Sequence, residues 1–177
     1  MSLGENVIDE EATYHKVAVQ LERLRVRAHR AGRSQYLAAH SAGSMHYRLG
    51  IPSIILSTAV GTAVFGTLAG SPDARLIVIT GVVSVSSAVL AALQTFFGYS
   101  DRAERHRSTG AKYAALKRRI DVAMIELEAR RTIDNGQIAK LAEFVNEINQ
   151  LEQSAPHVAD RHYDRSRREQ ENDTEGI

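Results

Sequence analysis

The chain has 177 residues, a formal net charge of +1 and no cysteine. A charge this close to zero gives no reason to expect nucleic-acid binding, and the absence of thiols excludes disulfides and cysteine nucleophiles. The mean hydropathy of −0.24 is typical of a soluble protein. The apolar residues are concentrated in two runs, however, so the average conceals the feature that decides the fold.

The first segment, 1–48, is predicted to be a cytoplasmic helix. It does not resemble a signal peptide, because it lacks an apolar run and starts with the acidic residues Glu5, Asp9, Glu10 and Glu11. Further along, small and apolar residues recur at alternating intervals of four and three, at Val17, Leu21, Leu24, Ala28 and Ala31. Such a narrow seam predicts contact with other helices.

Two runs without a charged residue follow, 49–72 and 76–100. About 20 apolar residues form a helix that crosses a hydrocarbon core about 30 Å thick. The joint between the runs is short, so the sequence predicts an all-α protein: a two-transmembrane helical hairpin, 49–100, flanked by amphipathic cytoplasmic helices. A soluble bundle is disfavoured, since neither run keeps a polar stripe.

Basic residues flank the hairpin on the side of the chain termini, whereas the joint holds only Arg75. The flanking residues are Arg30, Arg33, Arg48, Arg102, Arg105, Arg107 and Lys112. An excess of Lys and Arg marks the cytoplasmic side of a membrane, so both termini are predicted to be cytoplasmic.

Small residues recur every four positions within the runs, a pattern that lets helices approach closely in lipid. The rows are Ser53, Ser57 and Gly61; Thr58, Thr62, Gly66 and Gly70; and Ser84, Ala88 and Ala92. They are candidates for packing within the hairpin or between protomers, with hydroxyls lining a water path. One hairpin cannot enclose a pore, so conduction requires a homo-oligomer. Neither run contains an ionisable residue, which disfavours a proton relay.

Gly50 and Pro52 mark a predicted joint between the first cytoplasmic helix and the first membrane helix. Proline is tolerated in the first turn of a helix, so this pair indicates either a helix start or a hinge for gating.

The segment 101–153 is predicted to form further cytoplasmic helices. Gly98 and Gly110 are possible weak points after the second run, and Asp134 or Asn135 is a plausible N-cap of the last helix. From Ser154 the composition turns polar, which predicts a flexible polar tail over 154–177.

No residue pattern indicates an enzyme. The seven histidines include no pair at the helical spacing of a metal site, and no phosphate-binding loop or nucleophile elbow is present. We therefore expect no catalytic, cofactor or metal site.

Several stretches resemble one known family over about residues 25–155: Tyr47–Ser57, Val60–Phe65, Ala88–Phe97, the residues Glu104, His106, Tyr113 and Leu116, and Phe144–Glu152. Together they resemble the SLATT domain, a two-transmembrane effector associated with SMODS nucleotidyltransferases and SLOG nucleotide-sensing domains.

The resemblance implies a membrane effector in the bacterial inner membrane, working in antiphage defence by abortive infection. A nucleotidyltransferase would make a cyclic-nucleotide signal, and the effector would oligomerise and permeabilise the membrane. A sensor is then expected in a separate protein or in the cytoplasmic helices. The alternative is a non-conducting membrane adaptor whose helical bundle recruits a soluble partner.

Overall fold

The computed structural model describes residues 3–67 and 74–175, with side chains over 11–65 and 74–169. Within these ranges every element is an α-helix, so the predicted all-α class is confirmed. The helices are α1 (Leu3–Thr67), α2 (Ala74–Phe97), α3 (Tyr99–Arg130), α4 (Asn135–Ser154) and α5 (Asp160–Glu175).

Helix α1 is continuous from Leu3 to Thr67 and contains Pro52. The prediction of a helix start at Pro52 is therefore wrong. Proline removes one backbone donor, which leaves the carbonyl of Arg48 without its usual helical partner. Apolar surroundings offer the neighbouring backbone groups no competing water, and this favours continuing the helix on both sides of the proline.

A glycine separates α2 from α3. Gly98 has φ +52°, a left-handed conformation that glycine adopts without a steric penalty. Gly110, the other predicted weak point, lies inside α3, where an added Cβ would stand 3.2 Å from the ring of Tyr36. Its role is therefore close packing against α1.

The sequence predicted the start of α4 but did not predict α5. Asp134 caps α4 with its side chain, and Gln137 reciprocates, as a capping box does. By contrast, α5 forms where a flexible tail is predicted. Glu169 of α5 accepts from Arg33 at 2.9 Å, and in the segment before α5 the carbonyl of Pro156 accepts from the side-chain amide of Gln35 at 3.2 Å. Apolar periodicity therefore gave no sign of it.

The chain divides into two compact units, each described by itself. The bundle unit comprises Met1–Ala38 and Arg105–Ile177, and the hairpin unit comprises Ala39–Glu104.

The core of the bundle unit is a cluster of apolar side chains from α1, α3 and α4. Tyr113, Leu116, Ile120 and Ile148 are almost completely buried. The other members are Val17, Leu21, Leu24, Ala28, Leu127 and Phe144. Burying one large apolar side chain contributes about 1.5–3 kcal/mol, so this cluster is the main source of the unit's stability.

Ion pairs cross the surface between the helices of the bundle unit. Arg119 donates to Glu143 at 2.6 Å and to Glu147 at 2.5 Å, and its guanidinium lies over the ring of Phe144. Arg27 pairs with Glu152 across α1 and α4. Exposed pairs contribute little stability, so they serve mainly to fix how the helices align.

Replacing Leu116 with alanine should destabilise the bundle unit by about 2–5 kcal/mol, because the buried side chain leaves a cavity. Val122 on the same helix is 55% exposed. Val122→Ala should therefore change stability little. Denaturant unfolding in detergent, followed by circular dichroism, measures both. Equal effects of the two substitutions would contradict the described core.

Because Tyr113 is buried, the stability of the bundle unit should depend on pH in the alkaline range. Burial, together with the carboxylate of Glu152, raises the pKa of Tyr113 to about 12, while Arg27 lowers it. The folded state thus disfavours tyrosinate. Stability should be complete below pH 10 and fall as the pH rises toward 12, by an amount on the order of 2–3 kcal/mol. Tyr113→Phe should flatten this decline, whereas Tyr163→Phe, at an exposed position, should not. Unfolding measured across this range tests the expectation.

Candidate functional site

The hairpin unit directs its large apolar side chains outward. Ile54, Phe65 and Phe96 are 67%, 76% and 83% exposed. Soluble proteins rarely expose contiguous apolar surface on this scale. Within the described residues, two helices are long and apolar enough to cross a membrane. The outer surface of the hairpin unit is therefore suited to contact with lipid.

The two helices of the hairpin unit meet along rows spaced alternately by three and four. On α2, the residues with reduced exposure in the contact are Thr80, Val83, Ser87, Leu90 and Gln94. On α1, the row with the same alternation is Leu49, Ser53, Leu56, Val60 and Ala63, and the exposure of Gly50 and Gly61 beside it is also reduced. This spacing is typical of the contact line of a left-handed helix pair.

Three serine hydroxyls form the centre of this contact. Ser87 donates its hydroxyl to the carbonyl of Ser53 at 3.2 Å, and its Oγ lies 2.6 Å from the Oγ of Ser57. The hydroxyl of Ser53 points to the carbonyl of Ser87 at 3.5 Å. Ser53 and Ser87 are each only 6% exposed. Two members of the first predicted row, Ser53 and Ser57, thus pack within the hairpin, whereas the third, Gly61, has open space beside it. Their partner is Ser87, which the sequence analysis missed.

A second polar contact lies nearer the chain termini. The Gln94 amide nitrogen is 3.3 Å from Nδ1 of His46. An added Cβ on Gly50 would stand 3.0 Å from the same amide nitrogen, so glycine provides the space that the amide occupies. Whether Gly50 and Pro52 act as a hinge stays a prediction. We call Ser53, Ser57, Ser87, Gln94 and His46 together the polar seam.

The second predicted row faces away from the polar seam. Thr58 and Thr62 are exposed, and each hydroxyl donates to the carbonyl four residues earlier, at 2.9 and 3.0 Å. An added Cβ on Gly61 would meet nothing within 4 Å. Ser84, Ala88 and Ala92 on α2 are also exposed. The side-chain position of Gly66 and all of Gly70 lie outside the described residues.

The geometry explains why a period of four identified some residues of the helix contact and missed others. A period of four groups Ser53 with Ser57, but it places Ser84 on the contact face where the structure has Ser87. The alternation of three and four, read from Thr80 to Gln94, is the signal that finds Ser87. Among the described side chains, no group of three or more His, Asp or Glu residues is placed to hold a metal ion.

An outward apolar surface and an interior polar contact between two long helices define a two-pass helical membrane protein. The model of the SMODS and SLOG-associating 2TM effector domain family 4 matches residues 20–175. The chain therefore belongs to this family of SLATT effector domains, as the resemblance predicted. The family is one of membrane effectors and not a known enzyme family. Comparisons with curated proteins and with solved structures found no match.

Replacing Ser87 with alanine should weaken the helix pair by about 1 kcal/mol, because hydrogen bonds between membrane helices contribute about 0.6 kcal/mol each on average. Ser86 provides a matched control, since its hydroxyl is exposed and donates to the carbonyl of Val82 within the same helix. Ser86→Ala should have little effect. Unfolding in mixed micelles, titrated with a denaturing detergent, measures the difference. A larger loss from Ser86→Ala would contradict the described contact.

Proposed function

We propose that the protein oligomerises in the bacterial inner membrane and permeabilises it, as the last step of a nucleotide-signalled antiphage response that ends in abortive infection. The observation that carries this proposal is the small-residue surface around Gly61, which the hairpin leaves open. We call Thr58, Gly61 and Thr62 the outward face.

The outward face is suited to contact between protomers. Thr58 and Thr62 bind their own helix, so the surface they present has no unsatisfied donor. Gly61 has open space beside it. Small residues let backbones approach closely in lipid, where van der Waals contact drives association. A neighbouring helix would therefore pack more closely here than against the large apolar side chains elsewhere on the hairpin unit.

Oligomers are also a geometric requirement. Two helices of one protomer contact each other and leave no channel between them, so any aqueous path must be bounded by several copies. The association of the family with SMODS and SLOG systems supports a link to a cyclic-nucleotide-producing nucleotidyltransferase. The basic residues beside the hairpin, against Arg75 alone at its joint, support an orientation with both termini in the cytoplasm.

A feature of the bundle unit favours a second candidate, the non-conducting adaptor. A groove of about 480 Å³ lies between α3 and α4, with Ala123 and Phe144 among its lining residues. Val122 lines it and is 55% exposed, and Ile125 on the same helix is also exposed. Such a groove is suited to an apolar side chain of a soluble partner.

The substitution Gly61→Leu distinguishes the permeabilising effector from the non-conducting adaptor. The leucine fits within one protomer but obstructs close approach of another, and overpacking costs about 1–3 kcal/mol, which corresponds to about fivefold or more in association. Dye leakage from liposomes should fall by at least that factor. The measurement is made with and without added cyclic di- and trinucleotides.

Gly81→Leu is the matched control, because an added Cβ on Gly81 also meets nothing within 4 Å. It should leak like the wild type. Equal leakage of all three proteins would refute packing through the outward face. An inserted wild-type protein that never leaks, but binds a soluble protein through the bundle unit, would establish the adaptor instead.

A further inference from the structure

We propose that the polar seam is the water-contacting lining of the permeable state, and that it is uncovered when the two membrane helices of each protomer separate. This inference rests on the proposed permeabilising function. It assigns the lining to residues that bond across the closed hairpin, and it assigns the outward face to contact between protomers.

The two sets of polar side chains differ in where their partners lie. Thr58, Thr62, Ser86 and Thr95 each donate to a carbonyl four residues earlier in the same helix. Those bonds survive any movement of one helix against the other. The side chains of the polar seam instead find their partners on the opposite helix, so only they change partners when the helices separate.

The polar seam also contains the stronger polar groups. Gln94 has two donors and an acceptor, and His46 has two ring nitrogens, whereas each outward threonine presents one hydroxyl that is already bound to its helix. Water can replace the interhelical partners of Gln94, Ser57 and Ser87 at little cost, because hydrogen bonds between membrane helices are individually weak. Hydrocarbon cannot replace them, because an unsatisfied polar group in lipid is costly.

Because of this difference, the two helices can separate at low cost only where water is present. Separation within lipid would strand the seam groups, so a lone protomer stays closed. Separation inside a ring of protomers would place the same groups against an aqueous path, while Ile54, Phe65 and Phe96 keep their contact with lipid. The closed hairpin of the structure is, on this account, the resting state.

A covalent lock tests the inference directly, and the chain has no native cysteine to interfere. Ser57 and Ser87 have their Oγ atoms 2.6 Å apart, so the two side chains face each other across the helix pair at the short range that a disulfide requires. Ser57→Cys with Ser87→Cys should therefore form a disulfide within one protomer, visible as an unchanged monomer band on a non-reducing gel. The full-length protein is placed in phosphatidylethanolamine and phosphatidylglycerol vesicles under the conditions in which the wild type leaks.

The oxidised lock should reduce leakage to the level of protein-free vesicles, and a reductant should restore it. Ser86→Cys with Thr95→Cys is the control, because both side chains are exposed on α2 and each hydroxyl donates to a carbonyl of its own helix; the same oxidant should leave its leakage unchanged. Full leakage by the oxidised lock would overturn the inference while leaving the permeabilising function standing. A wild type that never leaks overturns both.

Thiol labelling gives a second readout. A charged methanethiosulfonate reacts with thiolates, which form in water and not in lipid. Ser87→Cys should be labelled only in leaking vesicles, whereas Ser86→Cys, one residue away on the outer surface, should stay unlabelled in both states. Labelling of Ser86→Cys alone would place the water on the outward side and overturn the inference.

Discussion

Hydrocarbon cannot hydrogen-bond, and this constraint organises the hairpin unit. Each polar side chain within a membrane span must find its partner in the protein. The hairpin unit uses two solutions. Thr58 and Thr62 bind their own helix, and Ser53, Ser57 and Ser87 bind across the helix pair. The first solution leaves a surface of small residues whose hydroxyls are satisfied, and the second joins the two helices.

The bundle unit follows a different rule, because its stability comes from apolar burial. Leu116 and Ile120 are fully buried, and Tyr113 is buried with them. Arg119 and its two glutamates lie at the surface, where water and salt weaken the attraction. The two units therefore differ in what holds them together: exclusion of water in one, and internal hydrogen bonding in the other. A change of solvent or lipid would act on them separately.

The parts of the fold that the sequence predicted are those with a strong periodic or compositional signal. Two long uncharged runs predicted the membrane helices, and Asp134, which caps α4, was one of the two residues predicted for that position, the other being Asn135. The parts that were missed depend on tertiary contact. Helix α5 docks through Glu169 and other polar groups, so it has no apolar stripe to detect. Continuity of α1 through Pro52 depends on the surroundings of the helix, which local propensity does not contain.

The residues of the candidate site were likewise predicted only in part. Small residues every four positions identified Ser53 and Ser57, but the same rule selected Ser84 in place of Ser87. A helix has 3.6 residues per turn, so a strict period of four drifts away from a straight contact line within a few turns. The alternation of three and four corrects for that drift. The rule was adequate for α1 over one turn and failed on α2 over two.

The polar seam occupies only part of the hairpin. From His46 to Ser57 it extends over 11 residues, about 16 Å along a helix, which is about half of a hydrocarbon core. Toward the joint of the hairpin, the residues with reduced exposure include Val60, Ala63, Val83 and Thr80, of which only Thr80 is polar. The polar groups of the helix pair are thus concentrated at the end that holds His46. In the proposed opening, water from the side of His46 would reach the polar seam before it reached Val60 and Val83, so the two faces of the membrane would not be equivalent for this protein.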